Sequence, residues 1–108
     1  MNSEEQMLFE KQAEIIKAIG HPLRIAVINF LQTGPQCVCD IAEYVNSERS
    51  NVSKHLSIMV KVGILSYTKQ GLKVIYTLKR PCICKFLGCI TDCLVQQHKE
   101  DGKILNAL

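Results

Sequence analysis

The sequence predicts a mainly α chain with one small β-hairpin, and three observations lead there. Apolar residues recur at helical spacing over most of the chain, in runs stopped by Gly20, Thr33-Gly34-Pro35 and Gly63. Only residues 64–67 and 73–78 alternate with the period of strands, and they meet across Lys69-Gln70-Gly71 as a hairpin. Two short helical patterns flank the turn Asn46-Ser47, so a helix-turn-helix is expected over 39–62, with the 64–78 hairpin following it as a wing.

Taken in order, Ser3 is placed to cap a first helix, with Gln6 closing a capping box. Up to Ile19 the residues Met7, Leu8, Phe9, Ala13, Ile15, Ile16 and Ala18 cover more than one stripe, which predicts a helix that packs on two sides. His21-Pro22 opens a second helix, His21 as a helix-start residue and Pro22 in the first turn. Leu23, Ala26, Val27, Phe30 and Leu31 form its inward face, with Arg24 pointing away. Pro81 starts a last helix that runs to about Lys99, after which Glu100–Leu108 is expected to fray. It too has two stripes: Ile83, Leu87, Ile90, Leu94, and Cys82, Phe86, Cys89, Cys93.

At 108 residues the chain is read as one domain, and a 47% hydrophobic content hints that apolar surface is covered by a second copy. The net charge of +3 permits nucleic-acid binding without demanding it, so the location of charge matters more than its total. No apolar run reaches the roughly 20 residues of a membrane span. The acids Glu4, Glu5 and Glu10 do not suit a signal peptide, so a cytoplasmic protein is expected.

The most informative stretch is Ser47–Val62. Val52, Leu56, Met59 and Val60 would pack inward, Ser47 would cap the helix and Gly63 would end it. The opposite face carries Arg49, Ser50, Asn51, Ser53, Lys54, His55, Ser57 and Lys61, with Glu48 its only acid. A generic exposed helix would alternate acids and bases; this face suits base edges and phosphates of double-stranded DNA. Lys69, Gln70 and Lys73 put further cations where a wing would meet the backbone or minor groove.

Six cysteines in a reducing compartment point to metal ligands, redox switches or apolar filler rather than disulfide staples. Cys37 and Cys39 are two apart, about 200° around a regular helix, so sharing an ion requires a loop or a distorted first turn. Gly34-Pro35 just upstream makes that feasible. Cys82 and Cys84 lie in a first turn, where the helix dipole favours thiolate. Cys89 and Cys93, four apart, can chelate one ion or simply pack.

The words Gly20-His21-Pro22-Leu23-Arg24, Cys37-Val38-Cys39-Asp40, Asn51-Val52-Ser53-Lys54-His55-Leu56 and Val62-Gly63-Ile64-Leu65 resemble those of the ArsR/SmtB family of winged-helix repressors, over roughly residues 10–80. The resemblance implies a homodimer built on the first and last helices (1–19 and 81–99), an operator in the promoter of the protein's own operon, and release on binding a metal or metalloid or on thiol oxidation. It also implies that Cys37-x-Cys39 is an effector site at the start of the helix before the reader. One departure stands out: the third cysteine of the arsenite-sensing form is replaced by Ala42, and residues 1–36 hold no arm cysteine. A third sulfur for As(III) or Sb(III) must then come from Cys82, Cys84, Cys89 or Cys93, of the same chain or of the other subunit. Cd(II), Hg(II), Cu(I) and Zn(II) suit soft sulfur as well. The zinc-sensing type of site is not expected, since Asp92 and His98 fall on different faces.

The leading expectation is therefore a repressor released by a thiophilic ion, As(III) first. The alternative is the same fold sensing oxidants or reactive sulfur, with Cys37 or Cys39 pairing to a last-helix thiol. A protein-binding or metal-buffering module without an operator sits poorly with the basic reader, and no enzyme-like constellation is present.

Overall fold

The computed structural model describes residues 1–101; the rest of the segment expected to fray lies outside the described residues. Five helices and a three-stranded antiparallel sheet follow in the order α1 (Ser3–Ile19), α2 (Pro22–Leu31), β1 (Gln36–Cys37), α3 (Val38–Tyr44), α4 (Arg49–Lys61), β2 (Leu65–Gln70), β3 (Lys73–Leu78) and α5 (Cys82–Asp101). The core is gathered where α2, α3 and α4 meet the sheet: Val27, Ile28, Ile41, Val52, Leu56, Met59, Ile64 and Leu65 are fully buried. Among the described residues, no helix is long and apolar enough to cross a membrane.

The two flanking helices are only lightly anchored in this core. α1 buries Ala18 and Ile19, while Leu8, Phe9 and Ile16 stay exposed, Ile16 to 51%. α5 lays Ile83, Cys84 and Leu87 against the core and leaves Phe86, Ile90 and Leu94 exposed.

α3 and α4 end in the same way. The Asn46 and Ser47 N–H groups donate to the carbonyls of Glu43 and Ala42, and those of Gly63 and Ile64 to Val60 and Met59. Both are Schellman turns, whose first residue past the cap is left-handed: Asn46 at φ 53° and Gly63 at φ 84°. Asparagine and glycine are the residues that accept this conformation at least cost.

Several expectations are corrected. Ser47 does not cap α4: the helix starts two residues later, at Arg49, and the Ser47 N–H closes the turn of α3. Glu48 takes the cap position without a side-chain bond, and Ser47 Oγ accepts from Asn51 Nδ2 at 2.9 Å. The cap of α1 lies one residue earlier than expected, with Asn2 and Glu5 forming the box rather than Ser3 and Gln6. The hairpin turns at Gly71-Leu72, with Lys69 and Gln70 inside β2 and Gln70 opposite Lys73. Gln36-Cys37 adds a short third strand, Cys37 facing Ile75 of β3, which two residues without alternation could not announce. α3 begins at Val38 and α4 at Arg49, and α5 continues to Asp101.

Candidate functional site

Two features lie side by side on this frame: a basic polar face on α4 and the wing, and a thiol cluster at the start of α3.

On α4, burial of Val52, Leu56 and Met59 leaves Arg49, Ser50, Asn51, Lys54, Ser57 and Lys61 exposed, with Ser53 half-buried. Lys69, Gln70 and Lys73 are exposed at the tip of the wing. Lys11–Glu14, on α1, is the one ion pair among the described residues, so no acid neutralises these cations through a direct pair. Ser57 Oγ donates to the Ser53 carbonyl at 2.9 Å, leaving its lone pairs for an outside donor.

His55 departs from this face. Its Nδ1 accepts a hydrogen bond from Arg24 Nε at 2.9 Å, and its ring lies 4.5 Å from that of His21. Burial, then the guanidinium of Arg24 and the His21 ring, hold its pKa below 6.5. Arg24, expected to point away, thus turns in to α4. No local pattern announces this pairing between residues 31 positions apart.

Gly34, at φ 130°, turns the chain into β1. Pairing of Cys37 with Ile75 then keeps that residue extended (φ −76°, ψ 158°) at the cap of α3, its Sγ accepting from Asp40 N at 3.3 Å. Cys39 follows in the first turn. This local geometry overcomes the 200° separation of a regular helix, and the structure joins the two sulfurs as a disulfide with Cα atoms 5.4 Å apart. The ligand atoms of Cys37, Cys39 and Asp40 all lie within 4.8 Å of one another. Asp40, three residues past Cys37 in the Cys-Val-Cys-Asp word, is a ligand candidate that reading for cysteines alone overlooks.

Among the described residues this is the only group of three or more such side chains. Cys82, Cys84, Cys89 and Cys93 are not brought into it within one chain. Cys82, Cys89 and Cys93 are exposed, and half-buried Cys84 lines a cleft between α2 and α5 with Ile25, Asn29 and Leu87.

A helix-turn-helix with an exposed basic reader, followed by a hairpin with a basic tip, defines a winged-helix DNA-binding protein. The family model for the bacterial regulatory protein, arsR family, matches residues 21–67, from the start of α2 into β2. Over 64 residues the chain is 39% identical to an HTH-type transcriptional regulator, MJ1325 of Methanocaldococcus jannaschii, covering 58% of this chain and 72% of that one. It is 34% identical over 67 residues to a cadmium resistance transcriptional regulatory protein, the CadC homolog of Staphylococcus aureus, covering 61% and 55%. The crystal structure of Rv0081 from Mycobacterium tuberculosis superposes with a TM-score of 0.76 at 25% identity, over 87% of this chain and 95% of that chain. The chain belongs to the ArsR family of transcriptional regulators, which are DNA-binding proteins and not enzymes.

Proposed function

We propose that this regulator is a homodimeric repressor that holds operator DNA with α4 and the wing and lets go when a thiophilic ion occupies the start of α3. The observation that carries this reading is the clustering of Cys37, Cys39 and Asp40 within 4.8 Å on the helix that packs against the reader. Cys37 caps α3 and also belongs to the sheet that forms the wing. Moving its sulfur would loosen its bond to Asp40 N and act on the reader through α3 and on the wing through β3. Ligand energy spent there can therefore reach both DNA-contacting elements.

Two thiolates and one carboxylate fit a soft or borderline cation, and the cadmium-resistance relative supports that class. As(III) remains the first ion to test. It needs a third thiolate in place of Asp40, and a partner subunit's last helix is the source left, Cys82 or Cys84 ahead of Cys89 or Cys93. The dimer reading rests on the exposed apolar residues of α1 and α5. A competing reading draws on the Cys37–Cys39 disulfide. A peroxide would oxidise the two thiols, taking two electrons and two protons as it is reduced to water and an alcohol (or to two waters), and the closed S–S bond would leave no thiolate for an ion. The effector separates the two: an ion added to reduced protein releases operator DNA only on the first reading, an oxidant without ion only on the second. In reduced protein, Cys37→Ser with Cys39→Ser should abolish ion-induced release of operator DNA; unchanged release would remove this site from the account.

A further inference from the structure

We infer that Arg24 is a positioning residue for operator binding: it ties the end of α1 and His55 of α4 together and so fixes the rotation of the reader about its own axis. The inference rests on the reading of α4 as the DNA-contacting helix.

The guanidinium bridges two elements. Nε donates to His55 Nδ1 at 2.9 Å, and Nη1 donates to the Ala18 carbonyl at 3.2 Å. Ala18 lies in the last turn of α1, where carbonyls lack a partner in the helix and a cation is favoured by the helix dipole. Neighbouring carbonyls of that turn are already used, Lys17 O by Gly20 N and Ile19 O by His21 N. His21 completes the joint: its Nδ1 accepts from Leu23 N at 3.1 Å, starting α2, and its ring rests against His55.

The rest of the attachment of α4 is apolar. Val52, Leu56 and Met59 set the depth of the helix, but hydrophobic burial is non-directional and tolerates a small roll. A hydrogen bond is directional. The Arg24–His55 bond joins α4 to α2 directly, and a roll of α4 would displace Lys54 and Asn51 from any register with base edges and phosphates. Because Arg24 also holds the end of α1, the same bond links the reader to one of the helices with an unpartnered apolar face.

The bond has a protonation requirement. His55 accepts at Nδ1 only while that nitrogen is bare, so its proton sits on Nε2. A proton on Nδ1 would remove the acceptor and set a second positive charge against Arg24. Arg24 from α2 and His21 from the α1–α2 joint are the groups whose charge reaches it.

The test is operator affinity of the reduced full-length dimer between pH 5.5 and 7.5, with specific and non-specific DNA. Arg24→Gln should weaken specific binding by about tenfold, as loss of a charge-assisted bond implies, and leave non-specific binding unchanged. His55→Asn, whose Oδ1 can replace Nδ1 as an acceptor, should bind close to wild type at pH 7.5. His55→Gln, whose oxygen lies where Nε2 was, should behave as Arg24→Gln. Wild type should lose specific affinity on acidification, whereas His55→Asn should not; a merely structural role for Arg24 would leave that difference at zero. Independently of any variant, imidazole nitrogen NMR of the wild type should show His55 with a bare Nδ1 and a protonated Nε2. Superimposable pH profiles for wild type and His55→Asn, wild-type affinity in Arg24→Gln, or the opposite tautomer would overturn the inference. Failure of the wild type to bind operator DNA even at low salt would overturn the reader assignment, and this inference with it.

Discussion

Cys37 occupies three roles at one position: strand residue opposite Ile75, cap of α3, and first donor of the thiol cluster. Its spacing to Cys39 was legible in the sequence, including the requirement for a distorted first turn. The Asp40 carboxylate was not, because a lone acid after two cysteines reads as solvated surface until the fold sets it within 4.8 Å of both sulfurs. Asp40→Asn separates the candidate ions: it should weaken Cd(II) binding, read from thiolate-to-metal absorbance, while leaving an As(III) site made of thiolates intact. Equal loss for both would mean Asp40 acts by holding the turn. His55 gives a second prediction at this scale. The unfolded imidazole takes a proton near its ordinary 6.5, whereas folded His55 resists it. Folding stability should therefore be full above that value and fall as the pH drops through it, levelling off below the folded pKa. Urea denaturation at pH 7.5 and 5 should show the fall in wild type and a smaller one in His55→Asn.

At the scale of elements, the helix-turn-helix stood out in the sequence because a stripe of Val52, Leu56 and Met59 opposes a face almost free of acid. Its boundaries did not, because Ser47 looks like a cap whereas its N–H belongs to the turn that ends α3. The same physics makes Gly63 more than a stop. At φ 84° nothing lies within 4 Å of an added Cβ, so the cost of a side chain there is backbone strain alone. Gly63→Ala should destabilise by about 1–2 kcal/mol in urea melts, the penalty of left-handed geometry. Leu56→Ala, fully buried, should cost more, about 2–5 kcal/mol. Lys54→Ala should leave stability unchanged. If Lys54 meets a phosphate, that variant should weaken binding to all DNA sequences alike and reduce the salt slope by about one.

At the scale of the whole molecule, α1 and α5 read as two-sided helices in the sequence, but each meets the core near one end only. α1 does so through Ile15, Ala18 and Ile19 and α5 through Ile83, Cys84 and Leu87, and the apolar residues along the rest of each are uncovered. What covers the uncovered side is supplied by our proposal of a second copy: Ile16→Glu or Phe86→Glu should then convert a dimer to a monomer in sedimentation analysis and weaken operator binding with it. A monomeric wild type at micromolar concentration would refute that part. On our proposal the assembly matters to the switch as well: one chain clusters two sulfurs and a carboxylate, and an all-thiolate As(III) site would draw its third sulfur from a partner. The most direct test of ion-controlled repression is fluorescence anisotropy of the fully reduced protein on DNA from its own promoter, with and without a stoichiometric thiophilic ion, arsenite first and cadmium second. Tight binding should weaken at least tenfold, about 1.4 kcal/mol of coupling, with one of these ions and not in the Cys37→Ser, Cys39→Ser protein. Tight binding that neither ion changes would contradict ion-controlled repression.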